Sequence, residues 1–275
     1  MLLLKNVLFL LFLIFELLLA ASIQVRQDSK VQVWQDTSVR NYFQDDTMFL
    51  WNGIATFSRH VTDGQLVQIA EDGLKSMLRD ARDRVPKKRV PTVMSALVYQ
   101  GKSDWRVFLS SSLKGSTSMI YEYKQVEGDK ACGDMRNTVP GAVKDALSQC
   151  AAETKSSQHL YDAGCGEMNI LLEFAAKTGR SPRRIAANSR MVTWQGEVDG
   201  KSLKYSGGKI KPPCTAPGRF GCDNTLKALT QRIKILSEDT GRRSYVSNRP
   251  TSTEYQPLFP GYENGATESS EDGTT

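Results

Sequence analysis

Histidine is almost missing from the 275 residues: His60 and His159 are the only two, which excludes any centre that needs several imidazoles. Cysteine is scarce and odd in number, five in all, so the thiols cannot all close into internal disulfides. No Asn-X-Ser/Thr sequence occurs, so there is no acceptor for N-linked sugar. Beyond residue 22 no apolar stretch is long enough to span a bilayer. Lysine and arginine are absent from Thr251 to Thr275, a stretch that carries five acids, so the rest of the chain is more basic than its overall +6. A basic body invites anionic partners such as nucleic acid, nucleotides or charged surfaces. The 40% hydrophobic and 24% charged composition fits a globular protein and excludes a disordered or collagenous one.

Residues 1–22 hold one cation, Lys5, before an apolar run, and the small residues Ala20, Ala21 and Ser22 after it. This is the layout of a secretory signal peptide cleaved after Ala21 or Ser22. The alternative is a membrane anchor of about 20 residues. Glu16 inside the run and the small residues behind it favour cleavage. The expectation is a secreted, extracellular protein, in surroundings where disulfides persist.

Residues 23–62 show no clear period and read as an irregular N-terminal arm. From Asp63 to Arg82, Leu66, Ile69, Ala70, Leu74, Met77, Leu78 and Ala81 recur at helical spacing, with Asp63 as N-cap and Pro86 as stop. Val93–Tyr99 and Trp105–Ser111 read as a hairpin around a glycine-containing loop. An insertion, 113–162, carries one amphipathic helix after Pro140. Glu167–Lys177 is apolar on nearly every side, as suits a helix buried in the core. Arg190–Val198 and Lys201–Tyr205 read as strands about the Asp199-Gly200 turn. A last helix is predicted over Asp223–Leu236. Residues 242–275 are expected to form a disordered acidic tail. Helices alternating with strands over 63–241 predict an α/β layer fold.

Three cysteines stand at the ends of these elements. Cys165 opens the buried helix, Cys214 follows the later strands, and Cys222 precedes the last helix. Helix N-termini favour the thiolate that metals bind. Three thiolates with one place left for water are a catalytic type of zinc arrangement. A carboxylate two residues after a ligand, as Glu167 is, can stand beside that water and move protons. Cys-X-Glu on one helix, with Pro-Cys…Cys at the start of the next, resembles the zinc-dependent nucleobase deaminases, the superfamily of cytidine deaminases and deaminase toxins.

The resemblance covers about Asp63 to Leu236. It implies a three-layer α-β-α sandwich with a mixed sheet, zinc (Zn2+) on Cys165, Cys214 and Cys222, and Glu167 as proton shuttle. The substrate it implies is a nucleobase, free as a nucleoside or within single-stranded nucleic acid, with cytosine favoured. Seven residues separate Cys214 from Cys222, where such proteins usually have two, so the loop between must fold back. With zinc on three cysteines, a Cys132–Cys150 bridge accounts for the other two; a free buried thiol at Cys150 is the alternative.

Other readings stand beside these. Cys214–Cys222 and Cys132–Cys150 could both be disulfides, leaving Cys165 free, in a secreted effector acting by contact on a non-catalytic scaffold. Glu167 could serve only the helix dipole. His159, six residues before Cys165, lacks the orienting partner of a Cys–His nucleophile pair and reads as incidental. Trp194 and Phe220 are candidates to stack on a base, or core residues. Gly207-Gly208 reads as a turn. Lys201, Lys204, Lys209 and Lys211 form a basic ribbon beside Cys214, where a nucleic-acid strand would approach.

Overall fold

Burial on both faces explains why the strands of this protein show so little alternation. The computed structural model describes residues 30–263, apart from 127–128, 156–158, 186–187, 216–219 and 230–232. The expected signal peptide, residues 1–22, and residues 264–275 of the acidic tail lie outside the described residues. In chain order the first elements are β1 (Trp34–Gln35), α1 (Thr37–Phe43), β2 (Trp51–Phe57), α2 (Asp63–Ala81), β3 (Val93–Gln100) and β4 (Trp105–Ser111). Next come β5 (Tyr121–Val126), β6 (Asp129–Met135), α3 (Gly141–Thr154) and α4 (Gly166–Thr178). The last are β7 (Arg190–Val198), β8 (Tyr205–Ile210), α5 (Cys222–Leu229), β9 (Lys234–Ile235) and β10 (Ser252–Glu254).

The chain is an α/β protein with a mostly antiparallel sheet in the order β1-β2-β4-β3-β7-β8. Strand β10 pairs antiparallel with β2, and β9 pairs parallel with β7, so the sheet is mixed. Strands β3 and β4 form the expected hairpin, with Leu97 opposite Phe108 and Val98 opposite Val107. Neighbouring residues of each strand then enter different cores. Ala96, Val98, Val107 and Leu109 pack beneath Leu66, Ile69, Leu74 and Met77 of α2. Leu97 and Phe108 meet Ile170, Leu171 and Phe174 of α4 on the opposite face, together with residues of α3 and α5. Helices therefore cover both faces, and the all-round apolar character of α4 follows from its place between the sheet and two other helices.

Several boundaries differ from the sequence expectation. Helix α2 is capped by Thr62 rather than Asp63, in a capping box with Gln65. Residues 30–62 are no irregular arm: they supply β1, α1 and β2, and β2 is nearly all buried, which removes the polar-apolar alternation that would have revealed it. The insertion holds a two-stranded hairpin, β5–β6, as well as α3. The second strand of the later pair is Tyr205–Ile210, because Asp199 accepts hydrogen bonds from the Lys201 amide and the Ser202 hydroxyl and extends the turn. Gly207 and Gly208 lie inside that strand, where a Cβ on Gly208 would stand 2.7 Å from Trp194 Nε1. The last helix is described over Cys222–Leu229, and Ile233 and Leu236, expected within it, flank the short strand β9.

The tail is also a correction: residues 242–263 are folded onto the body. Beyond β10, Asp36 holds the segment by accepting bonds from Tyr255 Oη at 2.8 Å and the Leu258 amide at 3.0 Å, while Asn52 Nδ2 reaches it at 2.8 Å. Tyr42 and Phe259 stack with centroids 4.2 Å apart.

One buried acid opposes the fold. Glu173 of α4 has no exposure and no hydrogen-bond partner for either carboxyl oxygen. Burial, and the nearby Asp36, push its carboxyl well above the usual range. The folded chain thus keeps a proton that the unfolded chain releases above a pH of about 4.3. Stability from this group is complete below that pH and is lost as pH rises toward the raised value. Glu173→Gln is expected to flatten the pH dependence of urea unfolding by up to about 1.4 kcal/mol per pH unit and to raise stability at neutral pH.

Candidate metal centre

The hairpin β3–β4 and strand β7 form the floor on which α4 begins. Gly166, the first residue of α4, approaches so closely that a Cβ would stand 2.5 Å from Ser95 Oγ and 2.9 Å from the Ser110 carbonyl. This contact sets Cys165, the N-cap, and Glu167, in the first turn, over the interior strands of the sheet. Cys222 opens α5 with its thiol buried, and Cys214 arrives from the segment after β8.

These three sulfurs converge. Cys165 Sγ and Cys214 Sγ are 3.6 Å apart. The Cys222 amide lies 3.2 Å from Cys214 Sγ, which it reaches as donor. His159, read from sequence as incidental, joins them: its Nε2 is 3.6 Å from Cys222 Sγ and 3.9 Å from Cys214 Sγ. The ligand-type atoms of His159, Cys165, Cys214 and Cys222 all lie within 4.8 Å of one another. That group could hold a metal ion such as zinc. Sulfurs bonded tetrahedrally to zinc at about 2.3 Å stand about 3.8 Å apart, and a thiolate-rich donor set suits that ion.

The fold-back between Cys214 and Cys222 rests on Gly221, whose Cα lies so close to the Cys214 carbonyl that a Cβ would overlap it. Residues 216–219 lie outside the described residues. Hydrogen bonding to the Cys165 and Cys222 thiols holds the Cys214 thiol far below the ordinary range. Cys165 is raised as donor to Cys214, and Cys222 is raised mainly by burial.

Glu167 is buried at 4% exposure, and its Oε1 accepts the Thr193 hydroxyl at 2.8 Å. Having donated to Glu167, Thr193 accepts the hydroxyl of Ser95 at 2.7 Å. Burial raises the carboxyl's pKa, the Cys214 charge adds to the rise, and Lys211 opposes it. Cys165, Cys214 and Glu167 share a cavity of about 290 Å³ with Thr193, Lys114 and Lys211. A larger cavity of about 600 Å³, between α4 and the segment around Phe259, is lined by no acid, thiol or imidazole.

Trp194 and Phe220 do not line the cavity beside Glu167. Trp194 follows Thr193 along β7 and so points to the α2 face, where its Nε1 donates to Tyr205 Oη at 3.2 Å. Phe220 is buried edge-on against the His159 ring, with centroids 5.6 Å apart. Of the four ribbon lysines, Lys211 lines the cavity. Cys150 is a free, buried thiol with Thr225 as hydrogen-bond partner, so the expected Cys132–Cys150 bridge is replaced by packing against α5. The Cys132 side chain lies outside the described residues. Cys165, Cys214 and Cys222 are likewise free of disulfides.

Sequence reasoning missed His159, Thr193 and the packing roles of Gly166 and Gly221. The signal for the glycines was their position next to the cysteines; nothing local marked Thr193. Compared with protein-family models, curated proteins and solved structures, the chain matches none.

The fold-back predicts an effect on metal without any change of ligand. Gly221→Ala is expected to lower zinc content at least tenfold at limiting metal, measured by elemental analysis after dialysis. Retention of full zinc would contradict the role given to that close approach.

Proposed function

We propose that this protein is a zinc-dependent nucleobase deaminase, secreted, acting on the exocyclic amine of a base in a nucleoside or single-stranded nucleic acid. The observation that carries the proposal is a buried carboxyl, Glu167, sharing one small cavity with the sulfurs of Cys165 and Cys214. The order of helix, hairpin, ligand helix, strand and ligand helix, with helices on both sheet faces, agrees with the cytidine-deaminase-like sandwich that the resemblance implies.

Cys165, Cys214 and Cys222 would hold the ion. Zinc, when bound, supplies Lewis acidity that brings the acidity of water close to neutral pH. Glu167 takes one proton from the attacking water and passes it to a ring nitrogen of the base; it then takes the proton of the hydroxyl left on the attacked carbon and gives it to the amino group, which departs as ammonia. Burial and the neighbouring Cys214 raise its pKa, which favours its holding a proton between transfers. Thr193, held by Ser95, fixes the orientation of that carboxyl. The cavity is near the lower end of ligand sites, about 300 Å³, which suits one base with its sugar and leaves further nucleotides outside. Lys114 and Lys211 at its wall offer cations to a phosphate. Cytosine is favoured on the resemblance.

A second reading has one observation in its favour. His159 supplies a fourth ligand-type atom, and three cysteines with one histidine make a closed structural centre in many proteins. The protein would then be a secreted binding effector on a non-catalytic scaffold.

Glu167→Gln separates the two readings. It is expected to keep one zinc per chain while lowering ammonia release by about 100-fold or more, in a screen over nucleosides, single-stranded DNA and RNA. Unchanged turnover would overturn the role of Glu167. For the secreted form, N-terminal sequencing of protein from culture medium should begin at Ser22 or Ile23; an intact Met1 would overturn cleavage.

A further inference from the structure

The two faces of the His159 ring make opposite kinds of contact. Nδ1 accepts two backbone amides, Tyr161 N–H at 3.2 Å and Ala163 N–H at 3.1 Å. A ring nitrogen accepting two N–H bonds has its lone pair directed at them and no room for a proton of its own. In a neutral imidazole the proton must then sit on the other nitrogen, Nε2. Nε2 is the atom that faces Cys222 and Cys214.

Histidines that ligate metal through Nε2 show the reverse pattern, with Nδ1 protonated and donating to a carbonyl or carboxylate. Binding through Nε2 here would leave the ring either without any proton or with an Nδ1–H pointed at two amide hydrogens. The turn after His159 is shaped for the contacts seen. Asp162 and Ala163 both take left-handed backbone conformations, with φ of 52° and 55°. Such conformations are unfavourable in a residue with a side chain. The Asp162 amide returns to the His159 carbonyl at 3.0 Å, and Phe220 closes the ring's edge, its backbone paired with His159.

We infer that His159 is a positioning residue that donates its Nε2–H to the sulfurs of Cys222 and Cys214, and is not a ligand of the ion. The chain thus contributes three thiolates rather than four ligands. Three thiolates carry more negative charge than a divalent ion neutralises. Two N–H donors, His159 Nε2 and the Cys222 amide, offset that excess in a buried setting where bare charge is costly. This inference rests on the metal-binding part of the proposed function, and it selects the open centre over the closed one.

The test is spectroscopic and needs no turnover. A His60→Gln chain keeps His159 as its only histidine. In that protein, labelled with ¹⁵N-histidine and loaded with zinc, Nε2 is expected to carry the proton and Nδ1 to show none. X-ray absorption at the zinc edge should report three sulfurs and no imidazole scattering. His159→Gln, which keeps an N–H donor, should retain one zinc per chain with affinity reduced about 10–100-fold, and His159→Ala should lose more. Imidazole scattering at the zinc edge, or a protonated Nδ1, would overturn the inference. Failure to take up zinc would overturn it together with the proposed function. Three sulfurs, no imidazole and no ammonia release from any substrate would uphold it and sink the deaminase reading alone.

Discussion

The close seating of the first turn of α4 on the sheet governs the rest of the site. Gly166 lets the helix descend until its backbone meets Ser95 and Ser110, and no residue with a Cβ could follow without displacement. The descent places Cys165 just outside the helix and Glu167 just inside it, so a thiol and a carboxyl share one cavity. Strand β7 then offers Thr193 from below, and α5 brings Cys222 from the side. A shift of α4 along the sheet would separate the carboxyl from Thr193 and the sulfurs from each other. Positions of reacting groups are sensitive at this scale, so the packing of a single glycine carries chemical consequences.

Electrostatics make this arrangement costly in the folded protein. Three thiols crowd together in a partly buried place, and the Glu167 carboxyl is buried nearby. The chain answers with hydrogen-bond donors more than with cations: the Cys222 amide, the Thr193 hydroxyl and the His159 ring. Lys211 contributes from the cavity wall. Bound zinc would complete the compensation, which couples metal uptake to the stability of this end of the sheet. A second anchor is Asp36, which gathers bonds from Asn52, Tyr255 and Leu258 and ties the C-terminal segment to the first helix.

Much of this was legible in the chain. Helix α2, the β3–β4 hairpin, α4 and β7 follow directly from apolar spacing, because each presents a regular period or a fully buried run. Cys165 and Glu167 stood out as candidates because a thiol and an acid lie two residues apart at a helix start. Strand β2 was illegible since both of its faces are buried, and β8 because its glycines look like a turn when the neighbouring Trp194 is out of view. Residues 233–236 keep helical spacing yet end in a strand, since the edge of β7 offers Arg190 and Met191 as pairing partners.

The amino-acid order alone determined the α/β class, the elements carrying the sulfurs, and the pairing of thiol with carboxylate, since all of these depend on contacts within a few residues. Only the tertiary structure decided that Cys214 and Cys222 meet as free thiols, that Cys150 packs against α5, and that His159 turns Nε2 toward the sulfurs. His159 reaches Cys214 and Cys222 across 55 and 63 residues of chain, and Cys165 reaches Cys214 across 49. No local pattern encodes them, because what brings such groups together is the burial of two apolar cores on the opposite faces of one sheet.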